Sequence, residues 1–501
     1  MVLGHCATTQ FPAPTTAHFA TQLRTTTCHL AGYRQVAVVV ERYLRLNAAG
    51  VSRYHSSTTM IVPADQTPLF TLPLELRQLV YKAVLASPLH GPELLQTCQE
   101  IHLEAHKFLF ARPLSFRSQE ALFDWLDRVP KKYLPQVKEL SLNIQDVDLR
   151  SLLKASALIS HPGDPPRLLT WNIYEAELDK LFHALEQLPK VQKITIRAVS
   201  GRQSFLYREF LQKFLRLLGS LYPNLLDLGL EGNLHHQDLS FISSFTRLQA
   251  FLFDGFSASS PSDTARILSE LGYLKCLSLV SQSTMLTPGS QTRSGFTAKR
   301  QSLTGGVVNR IDSLKCFSIT EIIPISAPTL FFTPEVLTSL HNHQSLKVIK
   351  VCLSQAPNNE TMAAFESFLE NTHIKILELD WPQLDPHVLE TFSLIPDGLE
   401  KLWIRARSAA DAFYIIWSIA ESRNAGDLHA LSELNLLRST QTYDDITPAT
   451  NDRKDSGTGE VEGALNCMYP AFDDTDAINV VRARLRLQTL GVRVSWCTER
   501  P

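Results

Sequence analysis

The sequence predicts an α/β solenoid, parallel strands inside and helices outside, with a small all-α unit ahead of it. Three observations carry that prediction. The pattern Leu-x-x-Leu-x-Leu, clearest at Leu274, Leu277 and Leu279, returns ten times between residues 137 and 436. Segments between the copies carry apolar residues at helical spacing, as in Phe210, Phe214, Leu217 and Leu221. From Thr67, two short amphipathic segments precede the copies, separated by a break running from Ser87-Pro88 to Gly91-Pro92.

The copies begin at Val137, Val191, Leu225, Leu248, Leu274, Leu314, Leu346, Ile374, Leu399 and Leu431. Most are spaced as leucine-rich repeats are. One strand with one helix cannot bury its apolar edge alone, whereas stacked copies share a continuous core. Within each strand the fourth and sixth positions alternate inward, so the third and fifth face outward and line a shared sheet surface. Surfaces of that kind bind other macromolecules, and the scaffold itself implies no reaction. The expected fold is a leucine-rich-repeat solenoid over residues 118–438.

Residues 1–62 carry five arginines and a single acid, Glu41. They are set apart as a disordered tail, a transit-like segment, or an extension upstream of a start at Met60. The helical unit, residues 67–117, opens where Thr71 caps a helix at Leu72-Pro73, with Leu72, Leu76, Leu79, Val80 and Ala83 on one face. A second helix spaces Leu94, Cys98, Ile101, Ala105 and Phe108 by three or four, so the two pack face to face.

The run Leu72-Pro73-x-Glu75-Leu76-x-x-x-Val80-Tyr81, then Leu94-Leu95-x-x-Cys98-x-x-Ile101 and Glu104-Ala105, resembles the F-box and F-box-like domains of filamentous-fungal proteins. Such domains often precede irregular leucine-rich repeats, the order found in this chain. The resemblance implies that Leu72, Pro73, Leu76, Tyr81, Leu95 and Cys98 contact a Skp-type adaptor of a cullin ubiquitin ligase, while the solenoid recruits a protein substrate. The tryptophan common near the end of a standard F-box is absent, and Phe108, Phe110 and Phe116 occupy that region. The plainer expectation is a helical cap over the open apolar end of the solenoid, which any end repeat needs. Exposure of Leu72, Pro73 and Tyr81 favours the adaptor, and their burial on the first repeat favours the cap.

A helix over residues 118–129, with Leu122, Trp125, Leu126 and Val129 on one side, leads into the first repeat strand. Further helices are expected at 175–188, 207–221, 261–271, 361–369 and 409–420. Leu168 to Ile173 reads as an extra strand within the long first gap. Residues 281–310, rich in Ser, Thr and Gly with four basic residues and no acid, are expected as a flexible insertion. An acidic disordered loop follows over 439–470. The C-terminal segment, 471–501, is expected to hold a helix over 476–490 and an edge strand at 492–496.

At 44% apolar and 20% charged, the 501 residues have the composition of a globular chain and not of a disordered one. A net charge of -2 gives no global attraction to nucleic acid or to an acidic membrane, and no apolar run reaches membrane-spanning length. Eight cysteines without a CxxC spacing make neither a disulfide framework nor a zinc knuckle. They point to a reducing compartment, cytoplasmic or nuclear. Cys276 and Cys316 share the outward position of consecutive repeats and are expected as two reduced surface thiols, with a redox pair or half a metal site as the alternative. No phosphate loop, dinucleotide fingerprint, metalloprotease, hydrolase or calcium-loop motif occurs, so no cofactor, metal or catalytic residue is expected. His235-His236 reads as a surface loop. What remains is the outward set around Trp403, flanked by Lys401 and Arg405, with Glu378 and Asp380 one repeat earlier and Lys350 before that. Tryptophan and arginine dominate binding hot spots, so this is the expected substrate face. Its charges alternate in sign, which argues against a nucleic-acid stripe.

Overall fold

A computed structural model of the chain describes residues 69–85, 92–147, 169–201, 203–282, 301–322, 329–384, 386–438 and 474–497. The expected N-terminal extension, the acidic loop over 439–470 and residues 283–300 of the expected insertion lie outside the described residues. The chain divides into two compact units. One holds the residues up to Ser115 together with Val129–Leu140, and the other holds Phe116–Arg128 and the residues from Ser141 onward.

The first unit is built on α1 (Leu74–Leu85), a 3-10 turn at Pro92–Gln96, and α2 (Gln99–Leu109). Tyr81, Leu85, Leu94, Ile101 and Ala105 form its core, with Phe70, Val84, Leu95, Cys98 and Phe108 packed against it. The expected inner stripe of α1 is rotated: Leu79 is exposed, whereas Tyr81 is completely buried. Polar chemistry sets that rotation. The Tyr81 hydroxyl donates to Glu104 Oε2 at 3.0 Å, and Arg77 clasps the same carboxylate with contacts of 2.5 and 2.9 Å. Arg77 also donates to the carbonyls of Phe70 and Leu72, at 3.3 and 3.1 Å, tying the chain entering α1 to both helices. Apolar spacing does not register such a clasp. Cys98 caps α2, its sulfur accepting the Ile101 N–H at 3.4 Å.

The strands are β1 (Leu114–Phe116), β2 (Glu139–Ile144), β3 (Lys193–Ala198), β4 (Asp227–Glu231), β5 (Ala250–Phe253) and β6 (Cys276–Gln282). They continue as β7 (Cys316–Ile322), β8 (Val348–Leu353), β9 (Ile376–Asp380), β10 (Lys401–Ala406), β11 (Glu433–Arg438) and β12 (Arg493–Cys497). All twelve lie in one sheet in chain order. Every neighbouring pair from β3 to β12 runs parallel. The ten predicted repeat strands are β2 to β11, and the predicted edge strand is β12. Only β1 has no counterpart in the sequence reading. The fourth and sixth repeat positions, such as Leu277 and Leu279 or Leu402 and Ile404, are buried, and so is the first position of each copy. That shared row of apolar side chains is the continuous core a solenoid requires.

The connecting helices are α3 (Gln119–Arg128), α4 (Leu169–Glu186), α5 (Phe205–Leu221), α6 (Pro261–Ser269) and α7 (Gly305–Val308). After them come α8 (Pro334–His341), α9 (Asn359–Glu370), α10 (Pro386–Thr391), α11 (Ala409–Ala425) and α12 (Asp474–Thr489). Ser204, Ser260, Thr333, Asn358 and Ser408 begin α5, α6, α8, α9 and α11 by accepting a backbone N–H of the first turn. Two expectations are corrected. Leu168 to Ile173 does not add a strand, because α4 starts at Leu169 and runs unbroken through Tyr174, which is buried. Residues 301–310 are folded and not a flexible insertion: Ser302, Leu303, Val307 and Val308 are all buried, and Gln301 bridges to Phe256.

The turn after β5 shows how tightly these repeats close. Gly255 has φ +83°, and a Cβ there would lie 2.1 Å from the Phe331 ring. Phe331 is held there by the buried carboxylate of Glu321 on β7, which accepts the backbone N–H groups of Leu330, Phe331 and Phe332 at 2.6 to 3.3 Å.

Candidate protein-binding face

Outward positions of β3 to β10 share one face of the sheet in rows set by the parallel register, most of them at least partly exposed and Glu378 and Asp380 of β9 buried. The rows sort into three zones. On β3 and β4, Lys193 pairs with Asp227 at 3.9 Å and Arg197 with Glu231 at 2.6 Å. On β5 to β7 the outward side chains are uncharged: Ala250 and Leu252, then Cys276, Ser278 and Val280, then Cys316, Ser318 and Thr320. From β8 onward charge returns, again paired across strands.

That last zone contains every residue the sequence assigned to the substrate face. Lys350 on β8 meets Glu378 on β9 at 3.4 Å, and Lys401 on β10 meets Glu433 on β11 at 3.3 Å. Arg405 on β10 grips Asp380 on β9 through Nε and, at 2.8 Å, through Nη2, while the Cys352 thiol donates to Asp380 Oδ2 at 3.5 Å. The hydrogen bonds it donates to Asp380 push the Arg405 guanidinium further toward its charged form. Trp403 sits in register between Glu378 and Asn435 and stays half-buried. The six residues therefore do come together, though as paired charges around one aromatic ring. The carboxylates of Glu378 and Asp380 are almost fully buried.

Sequence reasoning missed Glu433, Asn435 and Leu437. Alternation places them outward on β11, yet all three are buried. The outward rows are thus covered at Glu378 and Asp380 of β9 and again at β11, and the half-buried Lys401, Trp403 and Arg405 of β10 lie between them. Period-two spacing reports which way a side chain points and carries no signal for what lies over it.

Among the adaptor residues implied by resemblance, Pro73 is exposed, Leu76, Leu95 and Cys98 are half-buried, and Leu72 and Tyr81 are buried. Tyr81 belongs to the interior of its own unit, where burial and the Glu104 hydrogen bond push its hydroxyl well above the ordinary tyrosine range. It presents no surface to a partner. Exposed apolar side chains on the same unit are instead Leu74, Leu79 and Leu103.

The two sequence-flagged cysteines and histidines also find places. Cys276 and Cys316 are Cα partners on β6 and β7, both free and half-buried. Interaction between the two thiols brings Cys276 down to about 7 and pushes Cys316 up. His235 is not a free surface residue: its Nε2 lies 3.5 Å from the buried Asp254 carboxylate and its ring packs 5.0 Å from that of Phe256. Desolvation raises the Asp254 carboxyl above its ordinary value.

Among the described residues, no group of three or more His, Cys, Asp or Glu side chains is arranged to hold a metal ion, and no helix is long and apolar enough to cross a membrane. Comparison of the sequence with protein-family models gives no match, and neither does comparison with curated proteins.

Proposed function

We propose that the chain is an F-box-like substrate receptor, whose helical unit docks a Skp-type adaptor of a cullin ubiquitin ligase and whose sheet face holds a protein substrate. The observation that carries the reading is the self-contained helical unit: its core closes on Tyr81, Leu94 and Ile101 while Pro73, Leu74, Leu79 and Leu103 stay in solvent. Exposed leucines on so small a unit suit a docking surface. The adaptor then rests on Pro73, Leu74 and Leu79 with the half-buried Leu76, Leu95 and Cys98, and the contacts that the resemblance assigns to Leu72 and Tyr81 are dropped. Substrate meets Trp403 and the uncharged zone of β5 to β7, flanked by charge pairs that fix orientation more than affinity.

A second reading, a ligase-independent binding scaffold with a helical cap, is favoured by the absence of Leu72 and Tyr81 from the surface an adaptor would touch. Affinity capture from a fungal lysate separates the two. The first reading predicts that the parent chain and Trp403→Ala retrieve the adaptor equally, while Trp403→Ala loses a subset of other proteins. Loss of a hot-spot tryptophan costs about 2 kcal/mol or more, roughly a 30-fold drop in affinity. A folded parent chain that retrieves its protein partners without any adaptor supports the scaffold instead.

A further inference from the structure

Cys276 opens β6 and Cys316 opens β7, at partnered positions of a parallel ladder. Neighbouring strands lie about 4.8 Å apart and partnered side chains leave the sheet on the same side. Both thiols therefore point the same way, half-exposed. The partnered positions on either side are Ala250 and Val348, which bring no competing polar group. Lys350, diagonal to Cys316, favours the thiolate form at both sulfurs, opposed by Asp227 at Cys276 and by Glu378 at Cys316.

A direct disulfide fits this arrangement poorly. It needs Cβ atoms about 3.5–4.5 Å apart around a bond of about 2.0 Å, closer than the strand spacing of roughly 4.8 Å, so the ladder would have to pinch. One atom set between the sulfurs spans the gap without that movement. We infer that Cys276 and Cys316 form a dithiol site for a single soft, thiophilic atom with two open valences, the chemistry shared by trivalent arsenic and monovalent copper. Thiolates select such soft centres over hard ones. With an organic arsenoxide, two S–As bonds form, the As–O bond breaks, and both thiol protons leave with the oxygen as water. With monovalent copper, two S–Cu bonds form and two protons pass to solvent. Neither step transfers electrons.

The test uses the full chain and its Cys276→Ser and Cys316→Ser variants, each first shown to keep the parental circular dichroism. In one arm the reduced protein is treated with phenylarsine oxide, washed with excess glutathione, and weighed by intact mass spectrometry. An arsenical on a lone thiol exchanges off in a monothiol wash, so retention reports a pair. The parent is expected to keep one phenylarsenic group through the wash and to release it to 2,3-dimercaptopropanol, and both variants are expected to lose it. In the second arm, copper(I) is offered from its bathocuproine complex. Withdrawal of one equivalent by the parent and none by the variants extends the site to copper, and copper staying on the chelator restricts it to arsenicals. An adduct that glutathione strips from the parent, or that survives in both variants, overturns the site.

Discussion

Tyr81, Glu104 and Arg77 show how one polar contact decides which face of a helix is inside. Glu104 is held below the ordinary carboxylate range, first by the Arg77 hydrogen bonds, with that of Tyr81 adding and burial opposing. In the unfolded chain the same carboxyl protonates near about 4.3. Between that value and the lower folded one, only the unfolded state takes up the proton. Its stability contribution is therefore complete above about pH 4.3 and lost as pH falls through the folded value. Glu104→Gln is expected to cost about 2 kcal/mol at neutral pH and to flatten the acid side of the stability curve, read from urea midpoints between pH 3 and 7. His343 acts in the same direction higher on the pH scale. Burial holds its imidazole below the ordinary histidine value, with the ring bonded to the Val308 carbonyl at 3.0 Å. Below about pH 6.5 the unfolded chain gains a proton that folded His343 does not, so stability present above that value is lost on acidification. Melting temperatures measured from pH 7 to 5 should fall more steeply in the parent than in His343→Gln, and equal slopes would remove His343 as the cause. Neither triad nor buried imidazole was legible in the sequence, since both depend on partners far along the chain.

At the scale of elements, what the sequence revealed was periodicity, and it did so where periodicity alone fixes structure. Ten repeat strands follow from six-residue patterns because every copy needs the same inward Leu, Ile, Val or Phe to join the row beside it. Residues 301–310 escaped notice because Ser, Thr and Gly dominate the surrounding thirty residues. That average conceals Leu303, Val307 and Val308, which fill the interior of a repeat whose helix is a single turn. Leu303→Ala should accordingly cost about 2–5 kcal/mol, as deletion of a buried leucine does, in a chemical-denaturation midpoint. A change within about 0.5 kcal/mol, typical of exposed positions, would mean the segment contributes nothing. The start of α4 was misread for a related reason. Leu168 to Ile173 is short and apolar, a pattern that strands and buried helix starts share. The tie that settles it, Trp171 Nε1 donating to Glu175 one helical turn on at 2.7 Å, lies beyond that window.

For the whole molecule, the proposed division of labour follows the two compact units. The solenoid places Lys350, Glu378, Asp380, Lys401 and Arg405 around Trp403 and pairs charges across the strands, with the uncharged zone of β5 to β7 lying beyond β8 and β9. That grouping was legible because register carries the outward positions of successive repeats into rows, while the burial of Asn435 and Leu437 was not. The helical unit offers Leu74 and Leu79 once its own core is satisfied, and the proposed adaptor contact requires them. The deciding measurement is a calorimetric titration of purified Skp-type adaptor into the purified chain, alongside a Leu79→Asp variant of parental fold. A single saturable site that weakens at least tenfold in the variant is the predicted result. Absence of binding by the folded parent, or equal binding by the variant, contradicts it.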